Sequence, residues 1–131
     1  MKIDKSKNEK DGNLKNGLFK EYFKNGSIAC EGYCKNGEKT GEWKYYLLNG
    51  KLKAIGKYEG DKLVGEGNWF RENGKLMQTG SFDKDHKSGI WKRYHENGNL
   101  YDEGAYIRSE KIGEWKTYDK NGKLVKTKLI K

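Results

Sequence analysis

Apolar and polar positions along this chain recur in blocks instead of following one helical or alternating wave. Residues 41–52 read GEWKYYLLNGKL, and residues 113–124 read GEWKTYDKNGKL. Glycine falls at 17, 41, 65, 89 and 113, at 26, 50, 74, 98 and 122, and at 32, 56, 80 and 104, always in steps of 24. Self-similarity at such a period marks a repeat architecture whose units bury their apolar faces on one another. With Gly17 as unit position 1, units start at 17, 41, 65, 89 and 113, and the fifth stops at Lys131. Residues 1–16 fit the period poorly and are expected to form a frayed N-terminal cap.

Each unit predicts a β-hairpin. Positions 9 and 10 are Asn-Gly in all five units, from Asn25-Gly26 to Asn121-Gly122. Asn-Gly favours a two-residue type I′ turn, which needs positive φ at both central residues. Pairing outward from Asn49-Gly50 places Leu48 across from Lys51, Leu47 from Leu52, Tyr45 from Ala54 and Trp43 from Gly56. Glycine weakens a strand unless something uses its bare backbone, and a cross-strand indole does so. Position 3 holds Phe19, Trp43, Gly67, Trp91 and Trp115, facing Gly32, Gly56, Gly80, Gly104 and Lys128 at position 16. Trp69 is expected to substitute for the ring missing at Gly67. Strict alternation then collects position 3, position 12 (Ile28, Leu52, Leu76, Leu100, Leu124) and position 18 (Cys34, Tyr58, Phe82, Tyr106, Ile130) on one buried face. The expected fold is all-β: an elongated, twisted antiparallel meander of stacked hairpins in a single solenoid-like sheet. Ten strands would span ~45 Å at the usual strand spacing.

Composition qualifies the picture without changing it. Only 33% of residues are apolar and the mean hydropathy is −1.16, values that on their own suggest disorder. Seventeen aromatic residues oppose that, and eighteen glycines with no proline suit many tight turns. The start, MKIDKSKNEKDG, has no apolar run of a secretory signal, and no stretch reaches the ~18 apolar residues of a membrane helix. A cytoplasmic location is expected, with export as the alternative if a signal segment has been removed. Cys30 and Cys34 lie ~13 Å apart along one strand, beyond disulfide reach, and are expected to be buried apolar side chains in a reducing compartment.

The units resemble MORN repeats, and more closely the variant form G-x-W-x-x-Y-x-x-N-G-x-L…G-x-Y, over Gly17 to about Ile130. The resemblance implies β-hairpins in an elongated sheet. Bacterial variant arrays resemble YwqK-type antitoxin-like proteins, and eukaryotic arrays are associated with membranes, phosphoinositides and scaffolding. Neither role brings residues that transfer position by position.

Catalysis finds no support in the motifs. His86 and His95 occupy unrelated unit positions, and no nucleophile elbow, metalloprotease helix or phosphate-binding loop is present. No enzyme activity, cofactor or metal is expected. The net charge of +9 points at first toward anionic partners. However, residues 1–16 carry five Lys against three acids, and residues 120–131 carry five Lys and no acid. Residues 17–119 hold eighteen Lys/Arg and sixteen Asp/Glu, which argues against nucleic acid. The Lys-rich last strand reads as edge protection and implies a monomer or weak dimer. Lys123, Lys126, Lys128 and Lys131 give an alternative, contact with anionic lipid.

Position 6 is aromatic throughout: Tyr22, Tyr46, Phe70, Tyr94 and Tyr118. Alternation from position 3 sends these rings to the face opposite the core, where they would form a ladder for a partner. A bulge between positions 3 and 6 would instead turn them back into the core. The expected function is protein binding without chemistry, as an antitoxin- or immunity-like inhibitor that occludes its partner. Its candidate contacts are the position-6 rings with Trp43, Trp91 and Trp115.

Overall fold

A computed structural model describes the backbone of Ile3–Asp4 and residues 16–131. The strands are β1 (Ile3–Asp4), β2 (Gly17–Phe23), β3 (Ile28–Lys35), β4 (Glu38–Tyr46), β5 (Leu52–Glu59), β6 (Lys62–Leu63), β7 (Gly65–Phe70), β8 (Leu76–Asp83), β9 (His86–Tyr94), β10 (Leu100–Ile107), β11 (Glu110–Tyr118) and β12 (Leu124–Ile130). They form one open antiparallel meander in chain order, with β6 pairing β5 off the main path. Of the expected N-terminal cap, Ile3–Asp4 pair with Phe23 and Tyr22 of β2; residues 1, 2 and 5–15 lie outside the described residues.

The Asn-Gly turns do not have the two-residue form expected of them. At Asn49-Gly50, the Gly50 amide donates to Leu47 O (2.9 Å) and the Leu47 amide to Lys51 O (2.7 Å). Gly50 has φ 88°, while Asn49 is not left-handed. This is a three-residue loop, a turn closed by a left-handed glycine, and the same bonds recur in all five units. Asn49 Oδ1 instead accepts the Lys51 amide at 2.9 Å. The two-residue turns with both φ positive join one hairpin to the next, at Asn36-Gly37, Gly60-Asp61, Lys84-Asp85 and Arg108-Ser109.

The outer pairs nevertheless fall as expected, Trp43 opposite Gly56 and Tyr45 opposite Ala54. The loop's extra residue is offset by a bulge at position 13 of the returning strand, where Lys53 is skipped and Tyr46 pairs Leu52. Every unit has this bulge. It moves position 12 to the opposite face from the one expected. Alternation along β4 is unbroken, so Tyr46 also lies opposite the Trp43 face, and no bulge returns it to the core.

A second correction concerns the indoles. Trp43 is 1% exposed, yet it covers Gly32 of the preceding hairpin and not its own register partner Gly56. A Cβ on Gly32 would lie 2.2 Å from the Trp43 ring, and Gly80 and Gly104 stand in the same relation to Trp91 and Trp115. The cause is position 1. Gly41, Gly65, Gly89 and Gly113 have φ 66–76°, and register shifts set three residues of β4, β9 and β11 against a single glycine. The indole two residues later is thereby aimed backward. The core is this series of rings lying on bare backbone, and it joins adjacent hairpins beside their ladder hydrogen bonds.

The outer turns are also linked in series. Asp85 Oδ1 accepts the Leu63 amide (2.7 Å) while its own amide donates to Leu63 O (2.9 Å). Asp61 does the same to Lys39, and Ser109 Oγ accepts from the Lys87 amide. Because Asp85 also sits at φ 71°, Asp85→Ala loses a side-chain bond and strains the turn. We expect a cost of about 1–2 kcal/mol in urea unfolding, whereas Asp85→Asn, which tolerates that φ, should stay within ~0.5 kcal/mol.

Candidate interaction surface

The sheet has two unlike faces. The indole face carries positions 3, 5, 14, 16 and 18. Its rings form one run from Phe19 through Trp43 to Tyr58 and another from Trp69 through Phe82, Trp91 and Tyr106 to Trp115, with centroids 5.1–6.2 Å apart. Among the described residues no ring contact joins Tyr58 to Trp69. Trp69 packs on Phe82 and Trp91, so it does not replace the missing ring over Gly56.

A further repeated feature lay in the sequence unread. Position 23 is Lys39, Leu63, Lys87 and Lys111. The three ammonium groups sit 4.8, 4.9 and 4.5 Å from the ring centres of Trp43, Trp91 and Trp115, cation–π contacts of the ordinary kind. The unit with Gly67 in place of Trp directly follows the unit that ends with Leu63 in place of Lys, so both exceptions fall at one junction between hairpins. Their covariation was visible without a structure.

Electrostatically the faces diverge. Lys39, Lys53, Lys87, Lys111 and Arg93 share the indole face with Glu21 and Asp102 as its acids among the described residues, as register and ring contacts place them. Lys126 and Lys128 extend the basic surface opposite Thr117 and Trp115. The near-neutral array is thus an average over a basic face and a mixed one. Lys123 stands in the last turn, its amide held by Asp119 at 2.9 Å.

The tyrosine face carries position 6 against position 12, in the pairs Tyr22–Ile28, Tyr46–Leu52, Phe70–Leu76, Tyr94–Leu100 and Tyr118–Leu124. All five rings are half-buried. Tyr46 and Tyr118 donate to Glu31 (2.5 Å) and Glu103 (2.7 Å) on the preceding strand. Burial, then the Glu31 bond and charge, push the Tyr46 hydroxyl up to about 12. Near the outer turns, Ile90, Ala105 and Ile112 are adjacent on three strands, with Ile90 58% and Ile112 37% exposed. Trp43, Trp91 and Trp115 are buried and offer a partner little surface.

Cys30 and Cys34 are free thiols, Cys30 buried and Cys34 only half-buried. Burial, then the Glu21 charge, pushes the Cys30 thiol up to about 11, so it is protonated at neutral pH and a poor nucleophile. His86 pairs with Asp83 at an outer turn, while His95 lies 23 residues from the Tyr118 carbonyl it contacts at 2.9 Å. Among the described residues no group of three His, Cys, Asp or Glu converges as for a metal, and no helix is long and apolar enough to cross a membrane.

An open sheet of repeated hairpins, locked at three of their junctions by an indole on glycine, defines a β-hairpin repeat protein. The chain belongs to the MORN repeat variant family, whose model matches residues 15–36, 39–59, 63–84, 87–107 and 111–131. Such repeats are generally protein- or membrane-binding modules, and the family is generally non-catalytic. Comparison with curated proteins gives no match.

Proposed function

We propose that this array binds a partner protein through its tyrosine face and inhibits it by occlusion, in the manner of an antitoxin or immunity protein. One observation carries the reading. The row Ile90–Ala105–Ile112, with both isoleucines exposed, continues beside a half-buried Tyr/Leu stripe, and among the described residues no second layer packs over either. Contiguous uncovered apolar surface on a soluble sheet marks interaction sites, and a sheet already rigid loses little entropy on docking. Of the expected contacts, the position-6 rings remain part of this surface and the tryptophans become its scaffold.

Co-expression with a toxic neighbouring gene product tests it. The intact chain should restore growth, and Ile90→Glu/Ile112→Glu should abolish rescue without lowering the melting temperature by more than a few degrees. Rescue that survives the double substitution overturns the tyrosine face as the contact.

The segregated charge favours a second reading, attachment of the indole face to anionic lipid. Each lysine near such a surface contributes ~1 kcal/mol. Lys126→Glu/Lys128→Glu should then reduce sedimentation with phosphatidylserine liposomes, as should raised salt. An intact chain that stays in the supernatant at low salt removes this reading.

A further inference from the structure

The break in the ring series leaves a slot of about 240 Å³ on the indole face. Its floor is Gly56, and Tyr45, Tyr58, Leu63, Trp69 and Phe82 line it. The molecule itself shows what such a slot holds, since at Gly32, Gly80 and Gly104 the equivalent floor lies under an indole. Two of those indoles donate Nε1–H to the next carbonyl along the strand, Trp43 to Tyr33 O at 2.9 Å and Trp91 to Ser81 O at 3.0 Å. The corresponding carbonyl here is Lys57 O, which accepts the Val64 amide at 2.9 Å and keeps a second lone pair.

We propose that the slot over Gly56 binds a tryptophan side chain presented by a partner polypeptide. The floor has no side chain of its own and is buried under the flexible end of Leu63, 3.2 Å from where a Cβ would stand, so a ring settles on it as Leu63 turns aside. Four aromatic rings supply edges and faces for a fifth. Position 23 is apolar in this unit alone, so the lysine that caps each of the other indoles is missing here, and Lys53 is the one cation of the lining. The volume exceeds the ~150 Å³ at which an apolar cavity takes up benzene. The slot opens on a sheet face without a lid, whereas small-molecule sites enclose ~70–90% of their ligand. A ring held by its own backbone suits it better than a free one. This site is on the opposite face from the Ile90–Ile112 surface, and it stands whether or not that surface binds.

The test is a ¹⁵N NMR titration of the intact chain with N-acetyl-L-tryptophanamide. Shifts should concentrate at residues 54–58, 63–69 and 82 and saturate with a Kd on the order of 1–10 mM, as one small ring allows. N-acetyl-L-leucinamide should bind at least ~10-fold more weakly, given the aromatic walls. Leu63→Lys/Gly67→Trp, which rebuilds the pair found at the other junctions, should abolish the shifts, with the Trp69 ring end, 3.1 Å from where the new Cβ would stand, turning aside to admit it. Gly56→Val, which plugs the floor, provides a second abolishing variant if that one does not fold. Dispersed shifts, no saturation, or equal binding to a folded plugged variant overturns the proposal. Tighter binding of free indole than of the tryptophan amide overturns the polypeptide as the source.

Discussion

Gly80→Ala should be among the most damaging single-methyl changes this protein can receive. The added carbon would lie 2.0–2.5 Å from three atoms of the Trp91 ring, a distance no Cβ contact tolerates. The indole must leave, and with it contacts to Trp69, Phe82 and Tyr106 and the Lys87 cation. Emptying a core aromatic site costs about 3–5 kcal/mol, less the ~0.4–1 kcal/mol that replacing glycine gains through the unfolded chain. A net loss of about 2–4.5 kcal/mol is expected, lowering the melting temperature by roughly 7–16 °C in a chain of this size, with Trp fluorescence shifted to the red. Gly56→Ala is the internal control. It occupies the same unit position, but only Leu63 lies over it, so it should be neutral or slightly stabilising. Equal losses at the two positions would show that the ring-on-glycine contact does not hold the hairpins together.

This pair of outcomes separates what could be read from the sequence from what could not. The period, the hairpins and the outer register were legible because glycine, Asn-Gly and Trp recur at fixed spacing. The assignment of each indole to its glycine was not. Within one hairpin Trp43 has a single candidate, Gly56, and only the left-handed Gly41 redirects it to Gly32. Position 12 was placed on the wrong face for a similar reason. The bulge that moves it sits at Ala29, Lys53, Met77, Tyr101 and Val125, residues with no common chemistry to announce it.

Turn type was misplaced because local preference and tertiary support disagree. Asn-Gly suits a left-handed pair, and Lys84-Asp85 or Arg108-Ser109 does not. Yet the latter take up positive φ, held by bonds to the preceding turn. Three of the asparagines make another bond instead, reaching a carbonyl of the next unit: Asn25 Nδ2 to Leu48 O and Asn73 Nδ2 to Glu96 O at 3.4 Å, and Asn97 Nδ2 to Lys120 O at 2.8 Å. The position-23 pattern was legible and was missed, since Leu63 stands out only when compared with the fate of Gly67. The charge balance misled because it summed two faces that the pleat separates.

The second large effect concerns the only buried charged residue among the described positions, Asp102, 6% exposed. Arg93 lies across from it in register and donates Nε–H to Oδ1 at 3.0 Å and Nη2–H to Oδ2. It also covers Tyr101 at 5.0 Å. Half of the Arg93 side chain is exposed, so the two partners are not equivalent. Arg93→Ala strands a carboxylate inside the sheet and should cost about 2–3 kcal/mol, below the ~3–5 kcal/mol of a fully buried pair. Asp102→Ala frees a guanidinium that can turn into water, and unit 2 already carries Ala54 at that position, so a loss near 1 kcal/mol is expected. Arg93→Tyr/Asp102→Ala would reproduce the Tyr45–Ala54 pair of unit 2 and should recover most of the stability lost in Arg93→Ala. Urea unfolding of the three variants gives the order directly. Were Asp102→Ala the costlier single change, the guanidinium and not the carboxylate would be the group stranded by losing its partner, and the difference in burial between the two would not set the order.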